Sequence, residues 1–253
     1  MGVTIKTKAE LALMREAGRI VAEVLQLVQE RACPGMTTAE LDALAEAHIR
    51  QRGAVPSFKG YRGFRASTCI SINEEVVHGI PGPRALRAGD VVSVDVGAIY
   101  DGLHGDAAVT FALGTASAEA RWLMGVGQEA LVRAIAEMRP GKRLGDISWA
   151  IQSYAESQGA AVVRQYTSHA IGRQMHEDPL LPNYGPPGRG LVLRPGMTLA
   201  IEPMLCAGSW QVEDTSRGDG WTVITVDRRL AVHFEHTVAV TDGEPEILTR
   251  LED

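Results

Sequence analysis

The sequence predicts an α+β fold built from two duplicated units of helices and strands, related by a pseudo-twofold axis. Three observations support this prediction: a β-hairpin signal, two pairs of helical segments, and breakpoints that recur at a constant spacing. The chain has 253 residues, which suit a single domain with halves of about 1–112 and 113–253.

Four helices are predicted from capping signals and from the Pro and Gly residues that follow them. Capping boxes, a Thr followed three residues later by a Glu, open the first two helices at Thr7 and Thr37. The predicted helices run from Thr7 to about Arg31, from Thr37 to Gly53, from Ser117 to about Met138, and from Asp146 to Gly159. The Pro-Gly pair after the first helix and the terminal glycine of the second both recur 106 residues later.

The segment VDVGAIYDGLHGDAAVTF at 94–111 has the signature of a β-hairpin, because its Asp-Gly at 101–102 is a typical two-residue turn. That turn pairs Gly97 with Asp106 and leaves Asp95 two residues away on the same face. The two carboxylates become diagonal neighbours with Cβ atoms under ~7–8 Å apart. From the hairpin alone, two interpretations stay open. Either both hold metal ions, or one pairs with an arginine and the other caps the turn.

The strands of the hairpin recur later in the chain. Two alignments carry this repeat: LRAGDVVSVD (86–95) with LRPGMTLAIE (193–202), and DAAVTF (106–111) with EHTVAV (235–240). The first places Asp95 opposite Glu202. The second places Asp106 opposite Glu235. The offset rises from 107 to 129 residues, so the 22 extra residues (129 minus 107) fall in the loop at 206–227.

Four carboxylates brought to one interface would repel one another strongly, so their ionised state requires cations. Two divalent ions supply that charge, and an oxygen-rich site joined by a histidine suits Mn, Fe, Co or Zn. The repeat therefore favours a dinuclear metal site over four separate salt bridges.

Composition argues against several other functions. The net charge of −6 and the pI near 5.7 indicate no specific nucleic-acid partner. The three cysteines form no CxxC pair, which fits a reducing compartment. The N-terminus lacks the apolar region of a signal peptide, and no apolar run is long enough to span a membrane. We therefore expect a cytoplasmic protein without a membrane partner.

The histidines differ in what their surroundings predict. His169 and His176 are seven residues apart in a segment whose composition favours extended chain, where an odd separation points side chains to opposite faces. Either the chain bends near Gly172, or only one of the two is a metal ligand. His78 precedes a Gly-Pro turn, a place where side chains point into clefts. The others are expected to be surface or satisfied core histidines: His48, His104, His233 and His236.

These residues lie within motifs that resemble those of the type I methionine aminopeptidases. The matching blocks are CISINEEVVHGIPG, SVDVGAIYDGLHGDAAVTF, HAIGRQMHEDP, GMTLAIEPM and DGWTVITVDRRLAVHFEHTVAVTDG. The resemblance extends from the first helix to EIL at 246–248. It implies the pita-bread fold around a curved antiparallel sheet, with a single catalytic domain and a monomeric state.

The resemblance also implies a ligand set for two divalent ions, of Co, Mn, Fe or Zn: Asp95, Asp106, His169, Glu202 and Glu235. In this scheme Asp95 holds one ion, while Asp106 and Glu235 bridge both. His169 and Glu202 complete the other ion's ligands. Glu202 is expected to accept the proton of the attacking water, and Pro203 after it restricts its backbone to the extended region.

Two further histidines and an apolar pocket are implied by the same resemblance. His176 is expected to contact the scissile carbonyl, and His78 the departing amide nitrogen. The pocket for the substrate methionine is expected to be formed by Phe58, Tyr61, Phe64, Cys69, Met175 and Trp221. Phe58 and Met175 differ from the usual family residues. Ser168 and Ala170 stand where the family usually has glycine, so we expect them to affect pocket width and rate.

The implied function is removal of the initiator methionine from nascent chains whose second residue is small, with transient ribosome contact. Two alternatives stay open. One is a proline-specific peptidase of the same fold, although such enzymes usually carry a large extra N-terminal domain. The other is a catalytically weakened binding protein, although such proteins are expected to lose metal ligands.

Overall fold

The computed structural model describes residues 2–213 and 218–251, which contain two pairs of α-helices, a short 3-10 helix at Tyr61–Gly63 and fifteen strands. The helices are α1 (Lys8–Arg31), α2 (Thr38–Gln51), α3 (Ala118–Ala136) and α4 (Leu144–Ser157). Within this described part, none of the helices is long and apolar enough to cross a membrane.

The strands lie between the two helix pairs and after the second pair. Those before α3 are β1 (Val55–Pro56), β2 (Thr68–Ile72), β3 (Glu75–Val77), β4 (Val91–Tyr100) and β5 (Leu103–Ala112). Those after α4 begin with β6 (Ala161–Val162), β7 (Thr167–Ala170), β8 (Glu177–Pro182), β9 (Thr198–Ile201) and β10 (Met204–Cys206). The last are β11 (Val212–Glu213), β12 (Val223–Thr225), β13 (Ala231–His233), β14 (Glu235–Ala239) and β15 (Glu246–Ile247). Within the loop at 206–227, residues 214–217 lie outside the described part of the chain.

A nine-stranded antiparallel sheet forms the centre of the fold. Its order is β1-β4-β5-β14-β9-β7-β8, with β2 also paired to β4 and β15 to β14. Two three-stranded sheets, β13-β10-β6 and β11-β12-β3, lie beside it. Because β5 and β14 are neighbours, the sheet brings the hairpin and its later counterpart side by side.

The β4–β5 hairpin has the predicted register. Tyr100 pairs with Leu103, and Gly97 pairs with Asp106. Both turn residues have positive φ, 47° at Asp101 and 77° at Gly102, as a two-residue turn between right-twisted strands requires.

The pairing of two edge strands, β1 of the nine-stranded sheet and β6 of the sheet β13-β10-β6, follows the sequence repeat. Val55 of β1 pairs with Ile99 of β4. Their counterparts 106 and 107 residues later, Ala161 and Cys206, pair in the same way. The repeat is interrupted at Pro203, which separates β9 from β10 where the first unit has the continuous strand β4. A proline has no amide hydrogen for the ladder, and the chain changes sheets at this point.

The first three helices begin directly after the threonine or serine predicted to cap them. The predicted start of the fourth at Asp146 is wrong by two residues, since α4 begins at Leu144. Asp146 occupies the first turn, and its carboxylate accepts a hydrogen bond from the Arg143 amide at 2.7 Å. The aspartate therefore caps the helix from inside its first turn.

Alternation along β4 separates the apolar core from the site. Val92, Val94 and Val96 are fully buried in an apolar cluster with residues of α1 and α2. Asp95 and Gly97 project to the opposite face. A second large apolar cluster combines α3 and α4 with residues of β9, β13 and β14. Both strands of the hairpin thus have a helix-covered face and a face left for polar groups.

Close packing at Gly127 of α3 predicts a stability difference between two glycines of that helix. A Cβ at Gly127 would lie 2.7 Å from the buried Phe234 ring, whereas a Cβ at Gly125 meets nothing within 4 Å. We expect Gly127→Ala to lower the free energy of unfolding by about 1–3 kcal/mol through overpacking. Gly125→Ala should raise it by about 1 kcal/mol through helix propensity. Urea denaturation of both variants decides this, and equal stabilities would contradict the packing described here.

Candidate metal centre

Three carboxylates lie around one alanine on the open face of the sheet. Asp95 on β4 pairs with Ala108 of β5, and Glu235 on β14 pairs with the same Ala108 from the other side. Directly paired residues share a face, so both carboxylates flank the alanine methyl group. Asp106, two residues before Ala108, projects to that face as well. The strands meet firmly here, because the Thr237 hydroxyl accepts from the Asp106 amide at 3.0 Å and donates to its carbonyl at 2.8 Å.

The fourth carboxylate, Glu202, is held through its backbone. Its amide donates to the Ser168 hydroxyl at 2.9 Å, and its carbonyl accepts from the Asn183 side chain at 2.8 Å. Ser168 in turn donates to Asn183 at 2.7 Å, and both side chains are fully buried. Together Ser168 and Asn183 form a clamp that satisfies both polar backbone groups of Glu202 at the sheet interruption before Pro203.

Ser168 and Ala170 require no special backbone conformation, since neither has a positive φ. Ala170 packs in the large apolar cluster of α3 and α4. Among the described residues that line the cavity, neither is present. The serine therefore acts on Glu202 from behind, and the expected effect of the two residues on pocket width has no support in their position.

His169 and His176 come together because the chain bends between β7 and β8, the first of the two predicted alternatives. Their ring centroids lie 4.2 Å apart. His169 is buried in β7, with Nε2 3.6 Å from Glu202 Oε1 and Nδ1 3.0 Å from the Ala170 carbonyl. The bend passes through Gly172, where a Cβ would collide with the Lys6 side chain.

A buried ion pair holds this bend in place. Lys6 Nζ lies 2.7 Å from Glu177 Oε2, and both side chains are at most 10% exposed. The other oxygen of Glu177 accepts from the amides of Arg173 at 2.8 Å and Gln174 at 3.2 Å. The N-terminal segment thereby fixes the turn that carries His176 to the exposed rim of the site.

His78 has a left-handed backbone conformation, with φ of 60°. The next residue explains it: Gly79 docks against β2, where its carbonyl accepts from the Ile70 amide at 2.8 Å and its amide donates to Ser71 at 3.2 Å. A Cβ at Gly79 would collide with the Ile70 carbonyl. Such strain at a non-glycine residue persists only where the surroundings enforce it, and it is concentrated at functional sites.

All thirteen predicted site residues that the resemblance named line one cavity of about 340 Å³. The metal-ligand candidates and His78 occupy its polar part. The apolar part is a small cluster separate from the main core, formed by Phe58, Phe64, Ala66, Cys69 and Met175 with Tyr61, Ile80 and Trp221 against it. This apolar cluster forms one wall of the cavity. Gly97 leaves space for it, because a Cβ at Gly97 would lie 2.8 Å from the Phe58 ring.

Aromatic contacts order the wall and connect it to the histidines. Phe64 and Trp221 meet edge to face with centroids 5.1 Å apart. Tyr61 stacks on the His176 ring, and its hydroxyl lies 2.9 Å from His176 Nδ1. Trp221 also meets the His78 ring edge to face at 6.2 Å, so the apolar pocket joins the polar cluster at two histidines.

Burial shifts the pKa values of the carboxyl and imidazole groups in the polar cluster. It raises the pKa of Asp95 to about 7 and the pKa values of Asp106, Glu202 and Glu235 well above their ordinary values. It lowers the pKa of His169 to about 3 and that of His78 to about 4. Without cations these groups therefore favour their neutral forms.

The donor atoms of the cluster fit metal ions. Four buried atoms have no hydrogen-bond partner among the described residues: Asp95 Oδ1, Asp106 Oδ1, Glu235 Oε1 and His233 Nε2. Two groups, Asp106–His169–Glu235 and Glu202–His233–Glu235, each bring three ligand atoms within 4.8 Å of one another. Such unpaired buried atoms are costly unless a cation completes them. The carboxylate and imidazole set suits a divalent ion.

The sequence interpretation of His233 as a surface or satisfied core histidine is wrong. This residue is buried, and its Nε2 lies 3.3 Å from Glu202 Oε2 without a hydrogen bond. Its position in the sequence could have indicated a role in the site. His233 lies two residues before Glu235, and this spacing puts both side chains on one face of an extended chain. Tyr166, whose ring meets that of His78 at 5.4 Å, also lines the cavity, and no pattern had marked it.

The three other histidines have the satisfied surroundings that were expected. His104 Nδ1 lies 2.9 Å from the Ser57 hydroxyl, and His236 Nδ1 lies 2.9 Å from the Thr249 hydroxyl. His48 forms a half-buried pair with Glu23 on the outside of the helices. These side chains belong to the scaffold.

Comparison with known proteins agrees with this geometry. The model of metallopeptidase family M24 matches residues 12–242. The chain belongs to this family. It is 50% identical over 249 residues to methionine aminopeptidase 1 of Bacillus subtilis, covering 98% of this chain and 100% of that protein. The resemblance found in the sequence motifs is thus confirmed, and the family's metallopeptidase chemistry implies the use of a divalent metal.

Solved structures identify the fold of this M24 peptidase. The crystal structure of a methionine aminopeptidase from Thermotoga maritima matches it with a TM-score of 0.97 and 47% identity, over 99% of this chain and 100% of that chain. A prolidase from Pyrococcus furiosus matches with a TM-score of 0.79 at 23% identity, which shows the fold alone. The match with the prolidase covers 98% of this chain and 66% of the prolidase chain. The architecture is therefore the predicted pita-bread fold.

Opposite effects on stability and metal binding are expected from Asp106→Asn. In chelator-treated protein, removing one uncompensated carboxyl should raise the free energy of unfolding by about 1–3 kcal/mol. In the presence of Mn²⁺ the same variant should lose most of the stabilisation that the ion gives the unaltered protein. Thermal unfolding with and without metal measures both effects.

The matched control is Asp101→Asn in the exposed turn of the same hairpin, which should change neither quantity. Metal-induced stabilisation of Asp106→Asn equal to that of the unaltered protein would contradict a role for Asp106 in ion binding.

Proposed function

We propose that this M24 peptidase is a methionine aminopeptidase that removes the N-terminal methionine from peptides with a small second residue. One observation carries the proposal: a single cavity joins a carboxylate–imidazole cluster to an apolar wall of aromatic and sulfur-containing side chains. The first suits metal-assisted peptide hydrolysis, and the second suits a thioether side chain. The name of the Bacillus subtilis relative supports the same activity.

The metal centre in this proposal holds two divalent ions of Co, Mn, Fe or Zn. The ligands carried over from the family are Asp95, Asp106, His169, Glu202 and Glu235. When bound, the ions supply Lewis acidity and a water activated for attack near neutral pH. The shared position of Glu235 in both clusters of ligand atoms supports a bridging role for it.

Glu202 is proposed as the proton acceptor. The Ser168–Asn183 clamp fixes its backbone, and its two carboxylate oxygens face different imidazoles. Burial raises the pKa of this carboxyl, which makes the carboxylate a stronger base. A base held in this way needs little reorganisation when a proton arrives.

His78 and His176 are proposed to contact the reacting peptide bond. Burial lowers the pKa of His78 to about 4, so at neutral pH it is an uncharged imidazole that can donate one hydrogen bond to substrate. If the Tyr61 hydroxyl donates to His176 Nδ1, then Nε2–H of that ring becomes a donor toward the cavity. That donor would stabilise negative charge developing on the scissile carbonyl oxygen.

The substrate methionine is proposed to lie against Phe58, Tyr61, Phe64, Cys69, Met175 and Trp221. A thioether gains from aromatic and sulfur neighbours, and the flexible Met175 lets the wall adapt. The proposed partners are the N-terminal methionines of nascent chains, with transient ribosome contact by a cytoplasmic monomer. The proline-specific alternative finds no support in the relatives of high identity, and its solved representatives share the fold at low identity.

Release of amino acids from two peptides tests the proposal. Chelator-stripped protein reloaded with Mn, Fe or Co should release methionine from Met-Ala-Ser and nothing from Ala-Pro-Ser. Glu202→Gln should lower the rate by about 10²–10⁴-fold, as expected for the loss of a general base. Chromatographic identification of the released amino acid is the measurement. Release of alanine from Ala-Pro-Ser would instead assign a proline-specific peptidase.

The Ser168–Asn183 clamp predicts what happens when the family's usual glycine is restored. Ser168→Gly leaves the Glu202 amide without its acceptor, so methionine release should fall by about tenfold. Ala170→Gly is the matched control, because the Ala170 side chain contributes only apolar packing, while its carbonyl beside His169 Nδ1 belongs to the backbone and is kept in the variant. A large gain of activity in Ser168→Gly would support the alternative of a catalytically weakened binding protein.

A further inference from the structure

We propose that His233 is a sixth protein ligand of the metal centre and gives the second ion its own imidazole. The inference rests on the proposed dinuclear function and goes beyond the five ligands that the family resemblance supplies. In that five-ligand set a single histidine, His169, serves one ion. With His233 each ion has one nitrogen ligand.

The distances around Glu202 carry the inference. His233 Nε2 lies 3.3 Å from Glu202 Oε2 and 3.9 Å from Glu235 Oε2. His169 Nε2 lies 3.6 Å from the other oxygen, Glu202 Oε1. Donor atoms bound at about 2.0–2.1 Å in a tetrahedral arrangement lie about 3.3–3.4 Å from one another. The two imidazoles thus face different oxygens of Glu202, at 3.3 Å and 3.6 Å, as ligands of neighbouring ions would.

A hydrogen bond does not explain these distances. The buried Nε2 of His233 has no hydrogen-bond partner among the described residues, although a carboxylate oxygen lies 3.3 Å away. A buried ring nitrogen without a hydrogen bond is costly, and a cation between it and the neighbouring carboxylate oxygens removes that cost. A metal ion satisfies the nitrogen and both oxygens together.

The backbone of His233 is fixed for such a role. The Thr110 hydroxyl accepts from the His233 amide at 3.0 Å and donates to its carbonyl at 2.7 Å. Ser93 contacts the same hydroxyl at 2.7 Å across the hairpin. At Phe234 the chain passes from β13 in one sheet to β14 in another, so His233 and Glu235 approach the centre from two sheets. The side chain is 2% exposed, which restricts its possible partners to the cluster.

The two groups of ligand atoms, Asp106–His169–Glu235 and Glu202–His233–Glu235, share Glu235. In the proposal Glu202 stays with His169 through Oε1, and its Oε2 faces His233, which joins the ion that Asp95 holds. A second imidazole makes the centre better suited to Zn, Fe or Co, since nitrogen ligands favour these over Mn.

Calorimetric titration of the full chain with Co²⁺ after chelation tests the inference. The unaltered protein should bind two ions, and His233→Ala should weaken one of them by tenfold or more while the other keeps its affinity. X-ray absorption at the cobalt edge should show the number of imidazoles per metal fall from about one to about one half. His236→Gln is the matched control, because this side chain contacts Thr249 and projects from the other face of β14.

His233→Gln separates ligation from hydrogen bonding and preserves the volume of the site. Glutamine can still donate a hydrogen bond to Glu202, so unchanged cobalt affinity in this variant would overturn the proposal. Weakening like that of His233→Ala supports it. Failure of the proposed function gives a different result. In that case the unaltered protein does not bind two cobalt ions, and His169→Ala leaves cobalt binding unchanged as well.

Discussion

Mutual repulsion among the carboxyl groups on one face of the central sheet is the constraint around which the structure is arranged. Asp95, Asp106 and Glu235 surround the Ala108 methyl group, and Glu202 approaches them from the end of β9. Such a cluster would favour an expanded or protonated site if it stood alone. The apolar contacts of the other sheet face, where the valines of β4 pack with α1 and α2, hold the strands together against this repulsion.

Three functional side chains are held by neighbours that do not line the cavity. The Ser168–Asn183 clamp supports Glu202, Thr110 supports His233, and the Lys6–Glu177 pair supports the bend that carries His176. The first two contacts use the backbone amides and carbonyls of Glu202 and His233, and the third is an ion pair outside the cluster, so none of them occupies the ligand atoms. The arrangement leaves the cluster atoms unpaired and pointed at a common centre, as an ion-binding site requires.

The hairpin and the repeat could be predicted because they depend on local rules. An Asp-Gly turn sets the register between β4 and β5, and alternation then puts Asp95 and Asp106 on one face. The bend at Gly172 stayed ambiguous, since the buried Lys6–Glu177 pair that holds it joins residues 171 positions apart. The role of Ser168 depends on Asn183 and Glu202, which lie 15 and 34 positions further along the chain. His233 was misjudged because its partners come from another strand, although its spacing from Glu235 was visible.

The central claim is that the carboxyl cluster exists to bind a pair of divalent ions. Anomalous diffraction at the manganese edge, from crystals grown with Mn²⁺, tests it most directly. The account predicts two peaks about 3.5–4 Å apart, both within bonding distance of Glu235. No peak in the cavity, with Asp106 and Glu235 instead paired to protein groups, would contradict it.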